Sequence, residues 1–153
     1  MIYTIHRLAA ILAALCMATF SVSTLLVELF GSEESIAMVK SLIVMPGLFI
    51  LVPAMALTGA TGAKIAKVRK GCLVEAKKKR MPIVAANGIL ILIPAALFLN
   101  HWASIGSFDT KFYIVQCIEL LAGAVNLTLM GMNIRDGLKM AGRLRPKQLQ
   151  QTS

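Results

Sequence analysis

The sequence predicts an all-α protein, a four-helix transmembrane bundle with both termini on the cytoplasmic side (N-in/C-in). Three observations predict it. The apolar residues collect into four blocks, 5–30, 36–58, 82–102 and 112–134. Each reaches the roughly 20 residues that cross a hydrocarbon core at about 1.5 Å per residue. The chain is 58% hydrophobic with a mean hydropathy of +0.77, too apolar for an ordinary soluble domain. No long polar segment is left over, so 1–153 reads as one integral membrane domain.

The third observation is where the charge lies. The connection 59–81 holds Lys64, Lys67, Arg69, Lys70, Lys77, Lys78, Lys79 and Arg80, and the tail 135–153 holds Arg135, Lys139, Arg143, Arg145 and Lys147. Arg7 sits at the N-terminal end. The other two connections carry only Lys40 and Lys111, beside Glu28, Glu33, Glu34 and Asp109. Basic residues in short loops mark the cytoplasmic side, and four spans make the assignment self-consistent. The expected location is the bacterial inner (cytoplasmic) membrane, multi-pass. Positive-inside bias accounts for the net charge of +9, so no nucleic-acid partner is expected. The basic run 77–80 also suits anionic lipid headgroups.

The first span carries Ala9, Ala10, Ala13, Ala14 and Ala18, small residues that let membrane helices approach closely. Its stretch 8–27 exceeds a signal-peptide core of about 7–15 residues, and no convincing cleavage site follows, so it reads as retained. The second span contains Pro46 and Pro53, seven apart, which predicts a bend and offers a hollow beside it. The segment 58–64 does not match the phosphate-binding spacing G-x-x-x-x-G-K-[ST]. The basic stretch 63–80 continues this helix before turning near Gly71. Pro82 is then expected in the first turn of the third span, where its missing N–H costs nothing. Trp102, Phe112 and Tyr113 suit an outer aromatic belt.

Two polar columns run through the last two spans. Glu119, Asn126 and Asn133 are spaced by seven, with Gln116 on the same face, so a helix aligns them. Asn87, Pro94 and His101 share that spacing on the third span. Ionisable groups within a span face the bundle interior, which makes these columns the predicted interior. Glu119 lies about 10 Å inside Phe112 by helix rise, where its carboxyl should be protonated or paired with a donor. His6 and His101 fall at opposite membrane faces, so one haem cannot take both. A single-histidine haem remains open, with Met55 and Met130 on the half nearest His6 and Met38 and Met45 nearest His101. Cys16, Cys72 and Cys117 show no metal-ligand spacing, and no nucleophile motif supports a hydrolase.

His6 in Ile5-His6-Arg7-Leu8-Ala9, Pro46 in Met45-Pro46-Gly47-Leu48, Thr58-Gly59, and Lys78 or Lys79 follow an order of motifs seen elsewhere. In these residues the stretch 5–94 resembles a broad group of bacterial four-to-five-helix membrane proteins that includes CopD-like, SirB-like and HemJ-like proteins. The resemblance implies a haem or metal role for His6. The first span ends in Leu-Val-Glu-Leu-Phe, without the basic and histidine residues of the HemJ type, so porphyrin oxidation is not implied.

The functional expectation is a small redox-associated membrane protein binding b-type haem or a quinone. His6 is the expected haem-iron ligand, and His101, Asn87, Glu119, Asn126 and Asn133 are the further cofactor-binding residues. One alternative is a non-catalytic accessory or assembly subunit of a larger membrane complex, or a homo-oligomer, with the columns as interhelical glue worth about 0.6 kcal/mol per bond. Another is proton or small-solute transport through the polar seam.

Overall fold

The computed structural model describes residues 1–68 and 71–140. Arg69, Lys70, Arg143, Arg145 and Lys147 of the basic segments lie outside them. The described residues form six α-helices in the order α1 (Ile2–Phe30), α2 (Glu33–Leu42), α3 (Phe49–Val68), α4 (Cys72–Asn87), α5 (Ile93–Ser104) and α6 (Thr110–Met140). Two wide π-type turns, Ile43–Leu48 and Gly88–Leu92, fuse α2 to α3 and α4 to α5. The result is four helices long and apolar enough to cross a membrane: Ile2–Phe30, Glu33–Val68, Cys72–Ser104 and Thr110–Met140. Consecutive helices are antiparallel neighbours. α1 lies along α3 and against α6, α4 and α5 lie along α6, and α2 packs on α5.

Local chemistry explains most of the boundaries. Ser32 caps α2, its Oγ accepting the Ser35 N–H at 3.3 Å, with Glu33 and Glu34 in the first turn facing the positive end of the helix dipole. Asp109 Oδ1 does the same for α6 through the Phe112 N–H at 3.1 Å. Gly71 adopts φ +138° immediately before α4, a conformation open to glycine and strained for L side chains. The chain therefore turns at Gly71, as expected. Most of the connection 59–81 is helix, which runs to Val68 and resumes at Cys72.

That early start overturns the expected role of Pro82. It lies well inside α4 rather than in its first turn, because the run Glu75–Arg80 is built of good helix formers that carry the helix backwards. Pro82 is exposed and lines the cavity described below, and its ring cannot donate to the Lys78 carbonyl. Phe112 departs from the aromatic belt as well. It is fully buried against Ile36, Leu99 and Ala103, while Tyr113 is half exposed and Trp102 stacks on Phe98 at 5.8 Å between ring centroids.

Pro46 and Pro94 accompany breaks in the second and third helices, whereas Pro53 sits inside the unbroken α3. Met45 leaves helical geometry (φ −131°, ψ 113°) directly before Pro46, to which it is joined by a cis peptide bond. Pro94 follows the Gly88–Leu92 turn, whose widened hydrogen-bond pattern accommodates the missing N–H. Beside the first break the helices touch closely. A Cβ on Gly47 would lie 2.6 Å from Phe20 Cζ and 2.9 Å from the Leu42 carbonyl oxygen. Gly47→Ala is expected to destabilise by about 1–3 kcal/mol, since a backbone oxygen cannot step aside as a side chain can. Gly131→Ala, which meets nothing within 4 Å, is the control, expected to be neutral or stabilising by up to about 1 kcal/mol. Denaturant unfolding in mixed micelles, followed by circular dichroism, compares the two.

The core is layered along the bundle. Ala13, Met17, Leu51, Ala54, Val84 and Met130 form a central apolar layer, with the buried alanines of α1 against α3. Ile36, Leu99, Ala103 and Phe112 form a second layer under the hairpin end, the end carrying the connections 31–32 and 105–109. The opposite end carries the basic residues and is called the basic end below.

Candidate functional site: an intramembrane cavity between two charged clusters

The polar seam resolves into three separate groups. At the hairpin end, Lys40 Nζ donates to Glu119 Oε2 at 2.6 Å, and Gln116 Nε2 donates to the same oxygen at 3.1 Å. Lys40 is 1% exposed, and Glu28 on α1 lies within electrostatic reach of both Lys40 and Glu119. Midway, Asn87 Nδ2 donates to Asn126 Oδ1 (2.9 Å) and the Ala122 carbonyl (2.8 Å), and Asn126 Nδ2 donates to the Val84 carbonyl (3.4 Å). This joins α4 to α6. At the basic end, Arg80 Nη1 donates to Asp136 Oδ2 at 2.6 Å and to Asn133 Oδ1 at 3.5 Å. Asn133 Nδ2 reaches Met81 Sδ at 3.4 Å. Met130 of the central apolar layer lies on α6 between Asn126 of the middle group and Asn133 of the basic-end group.

His6 forms the other half of the basic-end cluster. Its Nδ1 is 3.2 Å from the Thr58 carbonyl oxygen and 3.0 Å from Thr61 Oγ1. A carbonyl only accepts, so Nδ1 carries the proton and donates to both oxygens. Thr61 Oγ1 passes its own hydrogen to the Leu57 carbonyl at 2.6 Å. The tautomer is thereby fixed, and Nε2 is left with its lone pair and no hydrogen bond among the described residues. A backbone carbonyl holding Nδ1–H is the arrangement that orients an imidazole for a metal or a donor at the other nitrogen.

A cavity of about 590 Å³ joins the two ends. His6, Lys77 and Lys78 line it at the basic end, and Thr24 and Glu119 at the hairpin end, with Asn126 on its α6 wall. The rest is almost wholly apolar, including Met55, Leu51 and Phe20. Ile43 and Leu48 place it directly beside the Pro46 break, where the sequence offered a hollow. Its size comes from small residues facing across it, among them Gly59, Gly62, Ala85 and Gly88. Val52 and Ile89 line it while 45% and 63% exposed, so it reaches the lipid-facing surface between α3 and the Gly88–Leu92 turn.

Of the residues expected to hold a cofactor, the structure brings His6, Glu119 and Asn126 to this cavity. Asn87 and Asn133 sit behind its walls, tying α4 to α6. His101 is exposed on α5 and joins neither cluster. The reason is the wide turn at Gly88–Leu92. One residue inserted into a helix turns everything beyond it by about 100°, so spacing by seven does not keep Asn87 and His101 on one face. Met55 lies on the cavity wall and Met130 in the core, while Met38 and Met45 are 66% and 62% exposed.

Two buried ions were absent from the sequence reading of the site. Lys40 counts there as a hairpin charge, although it lies inside the block 36–58, and an ionisable residue within a span needs a named partner. Asp136 falls two residues beyond the block 112–134. Helix α6 runs on to Met140, and Asp136 at 3% exposure is part of the interior. Among the described residues no group of three His, Cys, Asp or Glu side chains suits a metal ion.

Fold and cavity together define the class: a small multi-pass membrane protein with a hydrophobic cavity inside its bundle. No family model, curated protein or solved structure matches the chain.

Proposed function

We propose that the protein binds a redox-active amphiphile in this cavity, and that the ligand is b-type haem. The reading rests on His6, whose Nδ1–H is held by Thr58 and Thr61 and whose Nε2 offers a lone pair at a cavity wall. An imidazole in that state is the ordinary axial ligand of haem iron. Lys77 and Lys78 at the same end suit the two carboxylates of a haem, and the apolar walls suit its ring. Bound there, haem supplies one-electron exchange. The chain's own residues fix the imidazole, neutralise the carboxylates and keep water from the ring. With the basic end placed on the cytoplasmic side of a bacterial inner membrane, the carboxylates face the cytoplasm.

A quinol is the second reading, favoured by the same lone pair, since Nε2 accepts from a quinol hydroxyl. A quinone carbonyl needs a donor instead, which Lys77 provides.

Absorption spectroscopy of the purified protein tests the proposal. The expected result is a Soret band that is lost in His6→Ala, with helix content unchanged, and restored by added imidazole. Absence of a Soret band and of extractable haem removes the haem reading. Quinol found in an organic extract of wild-type protein but not of His6→Ala then supports the second.

A further inference from the structure

The hairpin-end cluster carries more acid than base. Glu28 and Glu119 contribute two carboxylates and Lys40 one ammonium, a formal charge of −1 among half-buried and buried side chains. Lys40 is consumed by Glu119 at 2.6 Å. The other charged groups at this end, Glu33 and Glu34 on α2, His101 on α5, and Asp109 and Lys111 on the last hairpin, are all exposed to the outside. None supplies the missing positive charge.

Among the described residues, Glu28 Oε1 and Gln116 Oε1 are the two buried side-chain polar atoms with no hydrogen-bond partner. Both are acceptors, and both belong to this one cluster. Gln116 is 3% exposed, and its amide is oriented by the bond from Nε2 to Glu119. Turning the amide over would set its oxygen against a carboxylate, so Oε1 is the atom left without a donor. A buried acceptor left unmatched costs on the order of 1–3 kcal/mol, and an uncompensated buried charge costs more. Both deficits are of one kind. The cluster lacks one positive charge and a partner for two oxygens.

We propose that the hairpin-end cluster is a binding site for one hard monovalent cation, a proton or a sodium-sized ion, taken on the oxygens of Glu28 and Gln116. Oxygen donors select hard cations. A proton on Glu28 removes the excess charge and turns that carboxyl into a donor. A sodium ion removes the charge and draws on both orphaned oxygens. Lys40 sets the stoichiometry at one, because it already neutralises one of the two carboxylates. The site lies at the far end of the bundle from His6, although its Glu119 also lines the cavity.

The full chain in nanodiscs of zwitterionic lipid provides the test. Infrared difference spectra report a protonated carboxyl, and thermal unfolding is compared in sodium and in choline salts. A carboxyl band at neutral pH identifies the proton. A saturable rise in Tm with sodium identifies the ion. Glu28→Gln is expected to abolish whichever signal the wild type gives. Gln116→Leu, which keeps the charges, should weaken sodium binding by about tenfold or shift the frequency of the carboxyl band, and it decides the matter if Glu28→Gln does not fold. A wild type with neither band nor sodium dependence overturns the proposal, as does a signal unchanged in both variants.

Discussion

Lys40→Met is expected to destabilise the bundle by about 3–5 kcal/mol, the range for breaking a buried ion pair from one side. The ammonium is 1% exposed and sits 2.6 Å from Glu119 Oε2, whose side chain is 13% exposed. Removing it leaves the Glu119 carboxylate buried with no ammonium beside it. The cost comes from the charge left behind more than from the bond lost. A second substitution should therefore return much of it. Lys40→Met with Glu119→Met replaces the pair by apolar volume, and such replacements are often neutral or stabilising. The single Glu119→Met should be nearly as harmful as Lys40→Met, and the double variant far better than their sum. Unfolding in mixed micelles, arranged as a double-mutant cycle, measures this. Single variants each costing under about 1 kcal/mol, or a double variant costing their full sum, would show that the pair does not organise this end.

The pair also marks the boundary of what the chain discloses by pattern. Hydropathy and charge reveal four helices, because burying an apolar block in lipid depends on composition over about 20 residues and not on any partner. The column Glu119, Asn126 and Asn133 is legible for a similar reason. α6 is unbroken from Thr110 to Met140, so spacing by seven survives along its length. The same count fails on the third span, where the Gly88–Leu92 turn changes the phase and sends His101 outward. Partnership is harder still. Lys40 and Glu119 are 79 residues apart, and Arg80 and Asp136 are 56 apart. Nothing local in either sequence neighbourhood says which ion will meet which. The proline breaks were visible, but that they leave a cavity depends on the small residues of α3 and α4 facing each other. His6 was singled out for its type and position. Its tautomer rests on the Thr58 carbonyl, and a backbone group on another helix has no signature in sequence.

At the basic end the larger effect should come from the acid. Asp136→Asn is expected to cost more than Arg80→Gln, by about 1–2 kcal/mol, although the two remove opposite halves of one salt bridge. Asp136 is 3% exposed and its carboxylate faces two cations. Arg80 bonds it at 2.6 Å, and Lys77 is drawn to it while being repelled by Arg80. Lys77 Nζ also lies close to Gly137, one residue on, where an added Cβ would come within 3.5 Å of it. Without Asp136 the guanidinium and ammonium face each other with no anion between α4 and α6. Without Arg80 the carboxylate still has Lys77. The inequality is therefore a statement about charge count, and a third variant isolates it. Lys77→Gln in the Asp136→Asn background removes the like-charge repulsion and should recover part of the lost stability. Lys77→Gln alone should be mildly destabilising, because it removes an attraction. If that substitution made Asp136→Asn worse, or if Arg80→Gln proved the more damaging single change, Lys77 would not be part of this cluster. Its place on the cavity wall with His6 would then need another source.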